Sequence, residues 1–138
     1  MLLHQDAHLV VEKLLGEPIL VVRRTSSAPG PDVVLGFAAT LRAAFAGIDR
    51  SRHAVLADLR LAPLRSGAGL EEALTSFRTE VGRDAIAIAR LVVTSVGALQ
   101  VSRMDRDEQR PNQSFADEEE ALAWLRSELS RHKRTRVR

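Results

Sequence analysis

Apolar runs and apolar stripes alternate along the chain. Runs at 8–15 and 19–24, separated by the turn formers Gly16-Glu17-Pro18, predict a β-hairpin. The run at 53–60 is bounded by polar and turn residues, which is typical of a strand buried on both faces. Leu91–Ser95 predicts another such strand. We expect 19–24 to lie centrally in the sheet, with the first strand of the hairpin at its edge.

Stripes of apolar residues spaced three and four apart predict helices between these strands. One helix is expected from Asp32 to Asp49, and a second from Leu70 to about Ala87. A short helix is expected within 96–107, followed by a loop or a last strand that ends at Phe115. The final helix is expected over Asp117–Ser130, because Asp117 with Glu120 forms a capping-box pattern.

Strands that alternate with helices favour a parallel sheet with crossover helices. The predicted fold is α/β: a mixed sheet of four to five strands, mostly parallel, with an N-terminal β-hairpin and about four helices. Residues 1–130 are expected to form a single domain.

Charge changes this picture only at the end of the chain. The 138 residues include 20 basic and 18 acidic side chains, a net charge of +2. Residues 131–138 hold five of the basic residues and no acid, which leaves 15 basic against 18 acidic residues in the rest. We expect a basic, disordered tail at 131–138. It could contact nucleic acid, an anionic membrane surface or an acidic partner, or merely aid solubility. Nucleic-acid binding by the folded body is not indicated.

Several kinds of chemistry lack their usual sequence signals. The chain has no cysteine, and its four histidines lack the spacing of a zinc site. Neither a Gly-x-Ser-x-Gly elbow nor a phosphate-binding glycine motif is present. No signal peptide and no apolar run long enough for a membrane span are evident. We therefore expect no cofactor, no metal, no catalytic residues and a cytoplasmic location.

The candidate site lies where the buried strands end. Loops beyond the carboxyl ends of parallel strands are the usual ligand sites of open α/β sheets. Asp58 lies within an apolar run, so its carboxylate needs a partner such as Arg60 or a backbone amide. Asp58 then either anchors a binding site or ties down the loop at 61–69. Hydroxyl side chains also follow these strands, at Thr25-Ser26-Ser27, Ser66 and Thr94-Ser95. They either line the mouth of a site for an anion or polar head group, or simply reflect the ordinary composition of loops.

Three strings give the chain a resemblance to a known group. They are AVLADLR at 54–60, RLVVTSVGALQVSR at 90–103 and SFADEEEALAWL at 114–125. Together with the hairpin they resemble bacterial STAS-like domains, which are similar to the sulfate transporter and anti-sigma-factor antagonist domain. The resemblance spans roughly residues 8–130. Its motifs are patterns of apolar residues, so they are specific for a fold more than for an activity.

The resemblance also implies a candidate phosphorylation site. In the antagonist proteins a partner kinase phosphorylates a serine before a glycine in the loop after the central strand. Ser66-Gly67 is the nearest match, although Leu64-Arg65 replaces the acidic residue and second hydroxyl that the family places before that serine. Alternatively, Ser66 is a turn residue that supplies hydrogen bonds.

These observations predict a non-catalytic regulatory or scaffold module that binds a protein partner. Its surface is expected to comprise the loops 25–31 and 60–69 and the start of the helix at 70–82. The alternative is a pocket at the same edge for a small apolar or anionic ligand, either lipid or nucleotide-like. A third hypothesis is that the protein is a hydrolase or transferase. The chain could also form a homodimer. The predicted binding residues are Asp58, Arg60, Arg65, Ser66, Gly67, Thr94 and Ser95.

Overall fold

A computed structural model describes residues 1–63, 67, 69–93 and 110–137, without the side chains of residues 136 and 137. The predicted helix within 96–107 lies outside the described residues. The strands are β1 (Leu2–Gln5), β2 (Leu9–Lys13), β3 (Ile19–Arg24), β4 (Ala54–Asp58), β5 (Ile88–Leu91) and β6 (Asn112–Phe115). The helices are α1 (Pro31–Leu35), α2 (Phe37–Ala44), α3 (Leu70–Gly82) and α4 (Glu118–Val137), with a 3-10 turn at Arg50–Arg52.

The strands form one sheet in the order β1-β2-β3-β4-β5-β6. The first three strands are antiparallel neighbours, and β3 to β6 are parallel. Val21 lies beside Leu56, and Leu56 lies beside Ala89, so the predicted central segments are neighbours. The mixed, mostly parallel α/β fold with an N-terminal hairpin is confirmed, with one strand more than predicted. We call the edge where the parallel strands end the carboxyl edge, and the edge where they begin the amino edge.

Helices cover both faces of the sheet, because alternate residues of each buried strand point to opposite sides. Leu20, Val22 and Val55 pack with residues of α1, α2 and α3 in one core cluster. Ile19, Val21 and Leu56 pack in a second cluster with residues of α4. The continuous apolar runs that predicted central strands are thus explained by burial on two sides.

The edge position predicted for the first hairpin strand is wrong, because β1 pairs outside β2. Asp6 makes the turn between them, and its carboxylate accepts hydrogen bonds from the backbone N–H groups of His8 and Leu9 at 2.7 and 2.9 Å. Residues Leu2–Gln5 are exposed or half-buried throughout. A strand with so little burial has no clear apolar alternation from which to be predicted.

The helix predicted from Asp32 to Asp49 is wrong in its bounds. It is divided at Gly36, and its second part ends at Ala44. The Gly36 N–H donates to Val33 O at 3.0 Å, which closes a tight turn between α1 and α2. A Cβ at Gly36 would lie 3.3 Å from that carbonyl oxygen, so a glycine suits the close approach.

The predicted helix end near Ala87 is also wrong. Helix α3 ends at Gly82, and Asp84 adopts a left-handed conformation with φ of 61° that redirects the chain. The Val55 N–H then donates to Ala87 O at 3.0 Å, so pairing with β4 overrides the helix propensity of the alanines. For the same reason β5 occupies Ile88–Leu91 rather than the predicted 91–95.

The final helix runs beyond its predicted end at Ser130. It continues to Val137, so the segment expected to be a disordered tail is helical as far as that residue. The prediction relied on apolar periodicity, which stops at Leu129. No glycine or proline occurs in 118–137, so the sequence contains no helix breaker to end α4 earlier.

A buried carboxylate ties the helices together at the amino edge. The Glu80 side chain is 1% exposed and accepts hydrogen bonds from Arg50 Nη1 at 2.7 Å, Arg42 Nη1 at 2.9 Å and Arg83 Nε at 3.2 Å. Arg50 also donates to the Glu80 carbonyl and stacks over Phe45 at 4.8 Å. Burial alone would raise the pKa of Glu80, but the arginines outweigh it and hold the pKa below its ordinary value.

Candidate functional site

Asp58 is the last residue of β4 and lies at the carboxyl edge. Its Oδ2 accepts hydrogen bonds from Arg23 Nη1 at 2.7 Å and Arg60 Nη2 at 3.0 Å. Its Oδ1 accepts from Arg60 Nε at 3.0 Å and from the Arg60 backbone N–H at 3.2 Å. Burial by itself would raise the pKa of Asp58, but the bonds from Arg60 and Arg23 hold that pKa below its ordinary value. The predicted pairing of Asp58 with Arg60 is therefore present.

Two further carboxylates complete this group. Glu118, the first residue of α4, accepts from Arg23 Nη1 at 2.7 Å and from Arg60 Nη2 at 3.2 Å. Glu12 of β2 accepts from Arg23 Nε at 3.4 Å. We call Glu12, Arg23, Asp58, Arg60 and Glu118 the Asp58 cluster. It joins β2, β3, β4, the second residue after β4 and the start of α4.

The hydrogen bonds of the Asp58 cluster indicate a structural role. Both Asp58 oxygens accept hydrogen bonds from guanidinium groups, and its lowered pKa keeps it ionised at neutral pH. A general acid or base needs a pKa near the working pH, and Asp58 has the opposite shift. The geometry favours a tie that fixes the start of the 59–69 loop relative to β3 and α4.

The other predicted site residues fall into two groups. Arg65, Ser66, Thr94 and Ser95 lie outside the described residues. Gly67 is described, with φ of 142°, and its carbonyl accepts from the Glu71 N–H at 3.3 Å at the start of α3. Asp58 points to the α4 face of the sheet, whereas Gly67 leads into α3 on the opposite face. The predicted residues that the structure brings together are thus Asp58 and Arg60.

Exposed apolar side chains accompany the Asp58 cluster at the carboxyl edge. Leu61 follows β4 and is 65% exposed, and Val93 follows β5 and is 67% exposed. The Leu59 N–H donates to Leu91 O at 3.0 Å, which holds the two chain segments side by side as they leave the sheet. On α1, Val33 and Leu35 are also about half exposed, at 45% and 49%. Grouped exposed apolar residues mark contact surfaces more often than scattered ones do.

Acidic residues also lie at the carboxyl edge. The first turns of the helices that start at this edge carry Asp32 in α1, Glu71 and Glu72 in α3, and Glu118–Glu120 in α4. Negative charge at helix amino ends is favoured by the helix dipole, which gives these residues a structural role of their own. Arg23 and Arg60 offset the charges of Asp58 and Glu118, so the acidic character of the described part of this edge comes from the other acids of these first turns, which would attract a basic surface.

A serine–histidine pair was not predicted. His8 Nδ1 lies 2.8 Å from Ser27 Oγ, and the Thr25 hydroxyl donates to Ala7 O at 2.7 Å. These bonds join the loop after β3 to the turn before β2. Among the described residues the His8 ring contacts Ser27 and, at 6.0 Å between centroids, Phe37, with no carboxylate bonded to it. The acidic third member of a nucleophile-activating triad is therefore missing from the described residues.

Sequence reasoning missed these partners because they are far apart in the chain. Arg23 lies 35 residues from Asp58 and 95 residues from Glu118, and His8 lies 19 residues from Ser27. The available signal was weak: an arginine at the end of a buried run, like an aspartate there, needs a charged partner. Only the parallel pairing of β3 with β4 shows which aspartate that is, since Arg23 lies directly beside Asp58.

Two other kinds of site are not found in the described residues. No group of three His, Asp or Glu side chains is placed to hold a metal ion there. Nor does any helix in that part of the chain have both the length and the hydrophobicity of a membrane-spanning segment.

Comparison with known proteins identifies the fold. No protein-family model matches the sequence, and no curated protein matches it. The structure is similar to the crystal structure of an uncharacterised protein of the DUF3478 family from Shewanella loihica PV-4, which has a SpoIIAA-like fold. The TM-score is 0.65 at 16% identity, over 88% of this chain and 98% of that chain. The chain therefore has the SpoIIAA-like fold, which is the fold of STAS and anti-sigma-factor antagonist domains.

Proposed function

We propose that the protein is a non-catalytic regulatory or scaffold module that binds a protein partner at the carboxyl edge of its sheet. The observation that carries the proposal is the exposure of Leu61 and Val93, which follow the neighbouring strands β4 and β5 at the edge that holds the Asp58 cluster. Exposed apolar side chains on fixed backbone give a partner area to bury without a large ordering cost. The fold is consistent with this role and, at 16% identity, supports nothing finer.

The chemistry of the partner follows from the charges around this surface. The exposed side chains of Leu61 and Val93 share the carboxyl edge with the acidic first turns of α1, α3 and α4. A partner with an apolar patch rimmed by Lys and Arg fits this arrangement. Because rim charges act mainly on the association rate and are screened by ions, binding should weaken as salt is added. We also propose a cytoplasmic location, which the absence of cysteine fits.

The phosphorylation predicted at Ser66 would act on the same surface. Ser66 lies five residues after Leu61 in the chain, and it directly precedes Gly67, which leads into α3. A phosphate there would add negative charge to an acidic edge. Its effect on a basic partner would be attraction, and its effect on an acidic partner would be repulsion.

The test compares partners captured by three variants in the protein's own cells. Leu61→Ser and Val93→Ser remove apolar contact without adding charge. Leu15→Ser is the matched control, because Leu15 is 85% exposed and lies in the turn between β2 and β3 at the amino edge. Quantitative mass spectrometry of the purified protein measures the amount of each associated protein, and thermal unfolding confirms that each variant is folded.

We expect at least one associated protein to fall by about tenfold or more in Leu61→Ser and Val93→Ser, as for substitutions of central contact residues. The same protein should be retained at its original level by Leu15→Ser. Equal losses in all three variants, or no loss in any, would contradict a docking surface at the carboxyl edge.

A further inference from the structure

A cleft of about 530 Å³ lies at the amino edge, opposite the Asp58 cluster. Its floor comes from residues that enter the parallel strands: Pro18 before β3, Arg52 before β4 and Ile86 before β5. The other wall comes from the last turns of α4, including Leu129, His132 and Lys133. This volume lies within the range of small-molecule sites, which is about 300–1,000 Å³.

Backbone hydrogen bonds fix the floor of this cleft. The Ala54 N–H donates to Pro18 O at 3.0 Å, and the Ile86 N–H donates to His53 O at 2.9 Å. The residues that line the floor are thus held by the pairing of β3, β4 and β5. Because the cleft is already formed, ligand binding does not have to pay for ordering it.

The interior of the cleft is apolar and continuous with the core. Ile86 and Leu129 are half-buried and pack against the core cluster under α4. Pro18 contributes a further apolar surface. An alkyl chain in the cleft would cover the exposed parts of these side chains and remove its own surface from water.

The rim of the cleft is basic. Arg52 is 67% exposed, and its ion pair is a 3.3 Å contact with the exposed Asp49. Lys133 lies across the cleft from Arg52 on α4, and none of the ion pairs in the described part of the chain involves it. The nearby acid Glu128 is 3.6 Å from Arg131. Arg52 and Lys133 are therefore two cations at the rim that could bind an anion, because neither takes part in a buried ion pair within the described residues.

We propose that this cleft binds a single-chain amphiphilic anion, that is, an alkyl chain ending in a carboxylate or phosphate. The chain occupies the surface formed by Pro18, Ile86 and Leu129, and the anionic head lies between Arg52 and Lys133. A purely ionic ligand would leave the apolar interior in water, and a cationic amphiphile would be repelled at the rim. This site is separate from the carboxyl edge and does not depend on the partner proposed there.

The test is a titration of the full chain, labelled with ¹⁵N, followed by amide chemical shifts. The probes are decanoate and decyl phosphate, with decyltrimethylammonium as the matched cationic control, each below its micelle-forming concentration. We expect saturable shifts at Ile86 and Leu129–Lys133 with both anions and no saturable shift there with the cation. The tighter anion identifies the preferred head group. Equal binding of the cation, or no saturable shift with either anion, overturns the proposal.

Variants separate this site from general attraction to a basic helix. Arg52→Gln and Lys133→Gln should each raise the dissociation constant of decanoate by about fivefold, as expected for one partly exposed charge contact. Arg134→Gln is the matched control: it removes the same charge from the adjacent exposed position of α4, outside the cleft lining. It should change the dissociation constant by less than about twofold. An equal effect of Arg134→Gln and Lys133→Gln overturns the proposed position of the head group.

The apolar interior is tested by Ile86→Ala and Leu129→Ala, with thermal unfolding to confirm that both variants fold. Each should weaken decanoate binding by about threefold or more while leaving the requirement for an anionic head unchanged. Binding unchanged in both variants would place the alkyl chain elsewhere and contradict the proposal. Leu61→Ser, at the carboxyl edge, should leave decanoate binding as it is in the unsubstituted protein.

Discussion

Replacing Asp58 by asparagine tests the Asp58 cluster directly. Asparagine keeps the shape of the side chain but removes the negative charge that two arginines share. The substitution weakens four hydrogen bonds, one from Arg23 and three from Arg60. The Asp58 side chain is 10% exposed, so water replaces these bonds poorly.

The expected cost follows from the burial of the partners. Breaking a fully buried ion pair costs about 3–5 kcal/mol, and a charged hydrogen bond contributes about 1.5–3 kcal/mol. The side chains of Arg23 and Arg60 are 27% and 34% exposed, and both retain Glu118 as a partner. We therefore expect a loss of about 2–3 kcal/mol in the free energy of unfolding. For a chain of this length that corresponds to a fall in Tm of about 10 °C.

The assay is urea unfolding at a series of pH values, followed by the fluorescence of Trp124. The pKa of Asp58 in the folded protein is below its ordinary value of 3.8. Its stabilising contribution is therefore complete above about pH 5, and it is lost as the pH falls through the pKa of the folded state. The stability difference between the unsubstituted protein and Asp58→Asn should be largest at neutral pH and should shrink below about pH 4.

Asp49→Asn provides the matched control, because Asp49 is an exposed acid whose partner Arg52 is also exposed. It should change Tm by less than about 2 °C. A stability difference for Asp58→Asn that is the same at pH 7 and at about pH 3 would refute the role given to its charge. So would an Asp58→Asn variant as stable as the control.

Three further predictions concern other parts of the molecule. Arg50→Met should lower the free energy of unfolding by about 2–3 kcal/mol, because the Arg50 side chain is only 11% exposed. Arg42→Met should lower it by less than about 1 kcal/mol, because the Arg42 side chain is 57% exposed. Equal losses for the two variants in urea unfolding would contradict this difference. Gly69→Ala should cost about 1–2 kcal/mol, because Gly69 has φ of 82°, whereas Gly30→Ala, at φ of −72°, should cost less by thermal unfolding. If Ser66 is phosphorylated, Ser66→Ala and Ser66→Asp should retain different associated proteins, and identical sets would end that prediction.

The strands were the most predictable part of the fold, because burial on two faces leaves uninterrupted apolar runs. Strands at 19–24 and 53–60 were predicted from that pattern, and they correspond to β3 (Ile19–Arg24) and β4 (Ala54–Asp58). Elements with little burial were harder to predict. The exposed strand β1 was missed, and the last turns of α4 were missed because they carry charge instead of an apolar stripe.

The errors at helix ends have a common cause. Gly36 and Asp84 change the direction of the chain, and their backbone angles or close contacts are set by neighbouring elements. The alanines around Ile86 are compatible with a helix, and only pairing with β4 shows that the chain is extended there. Local propensity therefore located these helices along the chain but not the residues at which they end.

The candidate site was predictable only where its members are close in sequence. The pairing of Asp58 with Arg60 could be predicted, since only Leu59 separates them along the chain. Arg23 and Glu118 come from other elements, and their approach depends on the register of β3 with β4 and on the start of α4. Exposure of Leu61 and Val93 likewise follows from which strand ends lie side by side.

Photo-crosslinking in the protein's own cells tests the proposed docking surface most directly. A benzophenone amino acid is placed at position 61 in one variant and at position 15 in another. This compares the carboxyl edge with an even more exposed apolar position at the amino edge. We expect a discrete crosslinked protein from position 61 that is absent from position 15. The same crosslinks from both positions, or crosslinks from position 15 alone, would contradict it.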